Sequence, residues 1–342
     1  MAKRVLGIDI DASSIKAAEI TRMGRSYVVS NLGVMFLQPG TVKDGRIVSP
    51  SKLTKGIQDL MERYEFQATS AVLGLRSSWV TVKTHTFPMM PERELDKALE
   101  YEVPELVGFP VHSLSDVYYD YFISSKTDTE LEIVLVACSR QNVLPYMEAI
   151  RESGLVLEAI DVPAFGWAEL LVEQGRRVFM EISEEQTTVL VASNGVFKVH
   201  RVVPIGAIHF KQGVEEAFEC SAEEATELCK TQDMDYLLLE GSGSKRLLRA
   251  TMQQFIGSLL QTLDFVRAQE RAARFDTMLD ELILLGDLAD LRGLSELIQG
   301  EVGLPVRTLR QMDRLSLTFE VLQPGRFNCY SSALALGLRG VS

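Results

Sequence analysis

Few residues in this chain have types and spacings that could do chemistry, and most of those admit two readings. Ser13 and Ser14 close a small polar turn, Asp11-Ala12-Ser13-Ser14. Their hydroxyls can donate to a phosphate, but turn chemistry alone also accounts for them. Gly241-Ser242-Gly243-Ser244 has the glycine content of a phosphate loop, yet Lys245 is followed by Arg246 rather than by Ser or Thr. It reads as a flexible linker between helices. The four histidines (His85, His112, His200, His209) lack metal-ligand spacing, and none stands beside a recognisable nucleophile, which assigns them structural or surface roles. Cys138, Cys220, Cys229 and Cys329 form no Cys-x-x-Cys pair, so neither a zinc site nor a disulfide framework is expected. Met89 and Met90, flanked by Pro88 and Pro91, offer either a soft binding surface or core packing. Trp79 and Trp167 read as core. No catalytic group and no metal set emerges.

The carrier of these residues is ordinary in bulk. The chain has 342 residues, 46% hydrophobic and 24% charged, with 35 Lys+Arg against 47 Asp+Glu, a formal net charge of −12. At roughly 150 residues per domain this is about two domains with real cores. The apolar content argues against disorder. The acidic balance argues against nonspecific nucleic-acid binding and against electrostatic docking on an anionic leaflet. No apolar run approaches the roughly 20 residues of a membrane span. Asp9 and Asp11 interrupt the only apolar stretch near the N-terminus, so no secretory signal is expected.

Periodicity supplies the elements that must position these side chains. Residues 5–10, 15–20 and 27–36 read as an antiparallel meander, and 51–64 as an amphipathic helix. Strands follow at 71–75 and 80–87, a helix at 92–102, strands at 117–124 and 131–139, a helix at 141–153, a strand at 157–162 and a helix at 164–173. The opening pattern then returns: Arg177-Val178-Phe179-Met180-Glu181-Ile182-Ser183 echoes Arg4-Val5-Leu6-Gly7-Ile8-Asp9-Ile10. Strands at 187–192 and 195–203 complete a second meander. A helical segment at 209–231, a long helix at 247–274, a strand at 282–285, a helix at 291–301 and a closing helix at 331–340 follow. Two meanders, each followed by helices, predict an α/β chain of two similar lobes. The expected division is 1–50 first lobe, 51–140 an inserted small α/β subdomain, 141–175 first lobe again, 176–330 second lobe, and 331–342 a helix returning to the first.

Two meanders with acidic residues at their first strand ends resemble the actin, Hsp70 and sugar-kinase superfamily. Local motifs narrow this to the type IV pilus assembly protein PilM family, related to the cell-division actin homologue FtsA. The opening Leu6-Gly7-Ile8-Asp9-Ile10-x-x-Ser13-x-x-Lys16 is similar to the family's start. Phe87-Pro88-x-Met90-Pro91-x-x-Glu94-Leu95, then Glu100-x-Glu102 and Phe109-Pro110, resembles its inserted subdomain and is the most specific stretch. Ala222-Glu223-Glu224-Ala225-x-Glu227-Leu228-x-Lys230, Asp264-Phe265-x-Arg267, Leu291-Arg292-Gly293-Leu294 and Ala335-Leu336-Gly337-Leu338-Arg339 continue in order. The resemblance covers almost the whole chain and implies a two-lobed actin-like fold and a cytoplasmic, ATP-binding scaffold.

It also implies nucleotide loops, and each departs from the family pattern. Phosphate loops favour glycine or small residues, which let backbone approach the anion. Here the glycine usual after Asp-Ile is Asp11, the second loop reads Glu181-Ile182-Ser183-Glu184-Glu185, and the adenosine turn reads Gly286-Asp287-Leu288. Leu288 would be strained if that turn requires φ > 0. A carboxylate about 4 Å from a phosphate charge adds roughly 4 kcal/mol of repulsion at an effective dielectric near 20. Asp9 and Lys16 resemble a magnesium-facing carboxylate and a phosphate-facing lysine; the alternative is a strand-end Asp and a hairpin Lys. Glu181 is a second metal carboxylate or a solvated strand residue. The degenerate nucleotide set is thus Asp9, Asp11, Ser13, Ser14, Lys16, Glu181, Ser183, Gly286 and Asp287. Nucleotide binding is expected to be weak or lost, although ATP with Mg²⁺ is what the family implies.

By resemblance, the partner is the short cytoplasmic N-terminal peptide of the membrane protein PilN, bound between the inserted subdomain and the first lobe. Val82, Phe87, Met90, Leu95 and Leu99 are the expected lining. Attachment to the inner membrane would come through protein partners, and no enzymatic role is expected. The rivals are a GspL-like scaffold of type II secretion, disfavoured because that protein continues into a membrane helix, and an active ATPase.

Overall fold

The computed structural model describes residues 3–76, 80–171, 174–310, 316–317 and 327–342. Trp79 and the end of the helix expected over 164–173 lie outside these residues. The first half contains β1 (Arg4–Ile10), β2 (Ser14–Met23), β3 (Ser26–Phe36), a short hairpin of β4 (Val42–Lys43) and β5 (Arg46–Ile47), α1 (Pro50–Arg63), β6 (Ser70–Gly74), β7 (Val80–Pro88), α2 (Glu92–Leu106), β8 (Val117–Lys126), β9 (Glu130–Ser139), α3 (Arg140–Glu152) and β10 (Val156–Asp161). A 3₁₀ segment, Pro163–Leu170, leads to the second half. There follow β11 (Arg176–Ile182), β12 (Thr187–Ser193), β13 (Val196–Val203), α4 (Ala207–Phe218), α5 (Ala222–Thr231), α6 (Met234–Leu239), α7 (Arg246–Gln269), α8 (Phe275–Met278), β14 (Glu281–Gly286), α9 (Leu294–Val302), β15 (Val306–Thr308), β16 (Ser316–Leu317) and α10 (Ser331–Val341).

The two main sheets share one topology. Their orders are β10-β6-β1-β2-β3-β16 and β13-β12-β11-β14-β15. In each, an antiparallel meander is extended on its first strand by a parallel strand, β6 beside β1 and β14 beside β11. The third sheet, β7-β9-β8, forms the inserted subdomain with α2. That subdomain is narrower than the expected 51–140. α1 packs Leu53, Ile57 and Leu60 with α3 on the first lobe's sheet, and β6 lies within that sheet, between β1 and β10. The insertion therefore runs from β7 to β9.

Period-two alternation sorts the strand residues between three layers. On β1, Leu6, Ile8 and Ile10 face the layer holding α1 and α3, while Val5 faces the opposite layer, shared by both lobes. On β11, Val178, Met180 and Ile182 face the helices of the second lobe, and Phe179 faces the shared layer. α10 and the 3₁₀ segment fill that shared layer, with Trp167 and Phe179 rings 6.3 Å apart. Close approach of α10 to β1 depends on Gly7: a Cβ there would sit 2.0 Å from the Ala333 carbonyl oxygen.

Two helical expectations change. The segment 209–231 is two helices, because Glu219 adopts φ 52° and Ser221 opens α5 with a capping box to Glu224. Within the segment expected as a helix over 164–173, the described residues form the 3₁₀ segment Pro163–Leu170 rather than an α-helix.

Candidate functional site

The same alternation that buries Val5 and Phe179 brings the charged residues of the three loops together. Asp9 follows Val5 and Gly7 on β1, and Lys16, its cross-strand partner on β2, points to the same side. Glu181 follows Phe179 on β11. All three are buried, at 3%, 6% and 2% relative exposure. Glu181 is therefore not a solvated strand residue.

A residue the sequence reading did not single out completes the cluster. Arg76, just past β6, donates from Nη2 to Asp9 Oδ2 at 2.6 Å and from Nε to Asp9 Oδ1 at 3.0 Å. The same guanidinium donates across the cleft to both carboxylate oxygens of Glu181. Ser332 on α10 adds a hydroxyl to Glu181 Oε1 at 2.6 Å, and itself accepts from the Trp167 indole N–H at 3.2 Å. On the other side of the cleft Lys16 Nζ donates to Asp287 Oδ1 at 2.6 Å, with Asp11 Oδ2 at 3.5 Å. A signal for Arg76 existed: several carboxylates placed around one lysine require a further cation before they can be buried.

Electrostatics follows the geometry. Burial pushes the Asp9 carboxyl up to about 6; Arg76 opposes the shift and Glu181 adds to it. Burial would also raise Asp11, but Lys16 and the amides of Ser13 and Ser14 outweigh it and hold Asp11 below its ordinary value. For Lys16, burial alone would depress the ammonium; Asp287 and Asp11 reverse this and keep it above the ordinary value. Arg76 is likewise raised by Asp9 and Glu181 against its own desolvation.

The three loops fit a magnesium-bound nucleotide poorly. In the first, the Asp11 carboxylate accepts from Ser13 N–H at 2.9 Å, Ser14 N–H at 2.8 Å and both hydroxyls. These are the donors a phosphate would need. In the second, Ser183 donates from its amide and its hydroxyl to the Gln186 carbonyl. The first amides of α4, from Ala207 and Ile208, donate to the Ser183 and Glu184 carbonyls, so that helix start is already satisfied. Glu184 pairs with Lys211 at 2.8 Å. In the third, Gly286 takes φ 91°, and its Cβ would meet the Ile182 carbonyl oxygen at 2.3 Å. Leu288 is not among the described residues with positive φ; its side chain lies in the second lobe's core, so the expected strain does not arise. Buried Gln186 Nε2 is one donor left without a partner among the described residues. Among these residues no group of three or more His, Cys, Asp or Glu side chains is placed to hold a metal ion.

A second concavity is of different character. A groove of about 770 Å³ runs between one face of the β7-β9-β8 sheet, the first lobe and the β12–β13 hairpin of the second. Its walls include Tyr118, Phe122, Val136, Phe165 and Phe197. Phe122, Phe165 and Phe197 meet edge to face with centroids 5.6 to 6.2 Å apart. The expected lining residues lie elsewhere. Phe87, Leu95 and Leu99 are buried at 3%, 0% and 0% in the core between α2 and the other face of that sheet, and Met90 packs against the same core. Val82, opposite Val136 in the sheet, packs on the shared interlobe layer. The apolar stripe of α2 covers its own sheet, which leaves the reverse face to form the groove.

Comparison with known proteins decides the family. The sequence model of the type IV pilus assembly protein PilM family matches residues 7–340. The chain belongs to the PilM family. A structure described as the PilM–PilN type IV pilus biogenesis complex matches at 22% identity and TM-score 0.83, covering 99% of this chain and 98% of that one. The ethanolamine utilization protein EutJ of Carboxydothermus hydrogenoformans matches at 13% identity and TM-score 0.55, covering 99% and 89%. ADP-bound MreB5 of Spiroplasma citri matches at 9% and 0.54, covering 98% and 95%. The fold is thus the two-lobed actin-like one, and this chain carries its β7-β9-β8 and α2 subdomain between β6 and α3. No helix among the described residues is long and apolar enough to cross a membrane.

Proposed function

We propose that this PilM-family chain is a scaffold of the type IV pilus assembly complex, and that its groove captures the N-terminal cytoplasmic peptide of a PilN-like membrane protein. The observation that carries this reading is the groove itself: an apolar, aromatic trough formed by three parts of the molecule, of a size suited to a few side chains of an extended segment. The similar solved complex pairs a PilM with a PilN. The rim adds a preference. Asp120, Asp161 and Glu169 face it with Arg339, which is already bonded to Asp161 and Glu169. The residual charge is negative and favours a peptide with basic residues. Membrane attachment then comes through the partner, consistent with an acidic chain that has no electrostatic attraction for an anionic leaflet. The scaffold does no chemistry of its own: the buried carboxylates of the cleft are engaged with cations and hydroxyls rather than held free as bases.

Calorimetric titration with a synthetic peptide of the PilN-like partner's cytoplasmic N-terminus tests the assignment. We expect saturable binding, lost on Phe165→Asp and retained on Met90→Asp. Undiminished binding to the Phe165→Asp protein would move the site elsewhere.

A further inference from the structure

The two cross-cleft ion pairs are related by the internal duplication. In the first lobe Asp9 lies opposite Gly74 on the parallel neighbour, and Arg76 stands two residues beyond. In the second lobe Glu181 lies opposite Leu285, and Asp287 stands two residues beyond. Arg76 and Asp287 thus occupy equivalent posts at the ends of equivalent strands. Each reaches into the other lobe, Arg76 to Glu181 and Asp287 to Lys16, with the charges exchanged.

We propose that these paired bonds are a built-in clasp which takes the place of a bound nucleotide. The Arg76 guanidinium occupies the space between the Asp9 and Glu181 carboxylates, where a divalent cation would have to sit. The Asp11 carboxylate occupies the nest of Ser13 and Ser14 amides, where a phosphate would have to sit. Lys16 is held by Asp287 and Asp11 and is not free to meet an anion. A magnesium nucleotide entering here would have to displace Arg76, break the Asp11 turn and unpair Lys16, and its phosphates would then face four carboxylates. The leftover Gln186 amide is a single neutral donor and does not offset this. The lobes are held by the chain's own charges, and the cleft does not respond to ATP.

Two measurements on the full chain test this. In calorimetry with Mg-ATP and Mg-ADP, we expect no saturable heat up to about 1 mM, and a melting midpoint that neither ligand moves. Saturable binding of either nucleotide within that range, up to about 1 mM, overturns the proposal. Hydrogen exchange of Arg76→Met against the wild type tests the clasp itself. Amides of 181–183 and 286–288 should exchange at least roughly tenfold faster in the variant, with partial recovery in Arg76→Lys. Unchanged exchange overturns it. If Arg76→Met does not fold, Asp287→Ala removes the reciprocal bond to Lys16, keeps Arg76, and should accelerate exchange at residues 14–17; unchanged rates there overturn the proposal equally.

Discussion

The interlobe cleft and the aromatic groove share a wall at Leu75, Val80 and Val162, yet they offer a ligand opposite things. The cleft holds buried charges whose hydrogen bonds are made to one another, so an entering anion finds few free donors. The groove holds partly exposed rings, with its one ion-paired group, Arg339 with Asp161 and Glu169, at the rim, so an apolar segment entering it releases water from both surfaces. Burial of functional-looking residues is thus no sign of a ligand site when every partner is already internal. An open surface of modest, scattered aromatics is a better sign.

The largest effect that sharpens this contrast comes from Arg76. Replacing it by Met leaves Asp9 and Glu181 buried without their cation, and we expect a loss of about 3–5 kcal/mol in denaturant unfolding. A loss below about 1 kcal/mol would mean that the pair is hydrated and the clasp weak. Leu95→Ala should come next, at about 3 kcal/mol, since it opens a cavity under the subdomain sheet. Peptide affinity measured on the fraction still folded should change little, because Leu95 lies behind the groove rather than in it.

Asp9 gives a pH test of similar size. Its carboxyl titrates near 6 in the folded protein, above the ordinary 3.8. The folded state therefore holds a proton that the unfolded state has released between these two values. Stability from this group is greatest below about 3.8 and declines as pH rises towards 6. Relative to Asp9→Asn, the wild type should lose up to about 3 kcal/mol between pH 4 and pH 7, measured by urea unfolding across that range. A flat difference would contradict the buried-anion account. The smallest expected effect is in the groove: Phe122→Ala should weaken peptide binding about tenfold, or 1.4 kcal/mol, with the melting midpoint nearly unmoved.

Much of this was legible in the sequence and some was not, for physical reasons. Alternation in β1 and β11 and the repeat of the meander announce two similar sheets with Asp9 and Glu181 at equivalent strand ends. The extra carboxylates at 11 and 287 are visible as departures from a phosphate loop. The clustered carboxylates signal that a further cation is needed, but not that Arg76 supplies it, because its partners lie 67 and 105 residues away and nothing local marks a strand-end arginine as buried. The groove was missed for a related reason. Strong apolar periodicity, as at Leu95 and Leu99, identifies the face a helix buries against its own sheet. A trough assembled from Phe122, Phe165 and Phe197 has no periodicity, since its rings come from three separate elements.

One comparison tests the central claim, that the lobes are closed by internal charge while the groove stays available. The affinity of the full chain for the PilN-like peptide should be measured by calorimetry twice, first with EDTA and no nucleotide, then with Mg-ATP at about 1 mM. The account predicts the same dissociation constant within about twofold, because the groove's walls are held by Arg76 and Lys16 in both conditions. A change of about tenfold or more would contradict it, since nucleotide would then be entering the cleft and setting the position of the lobes.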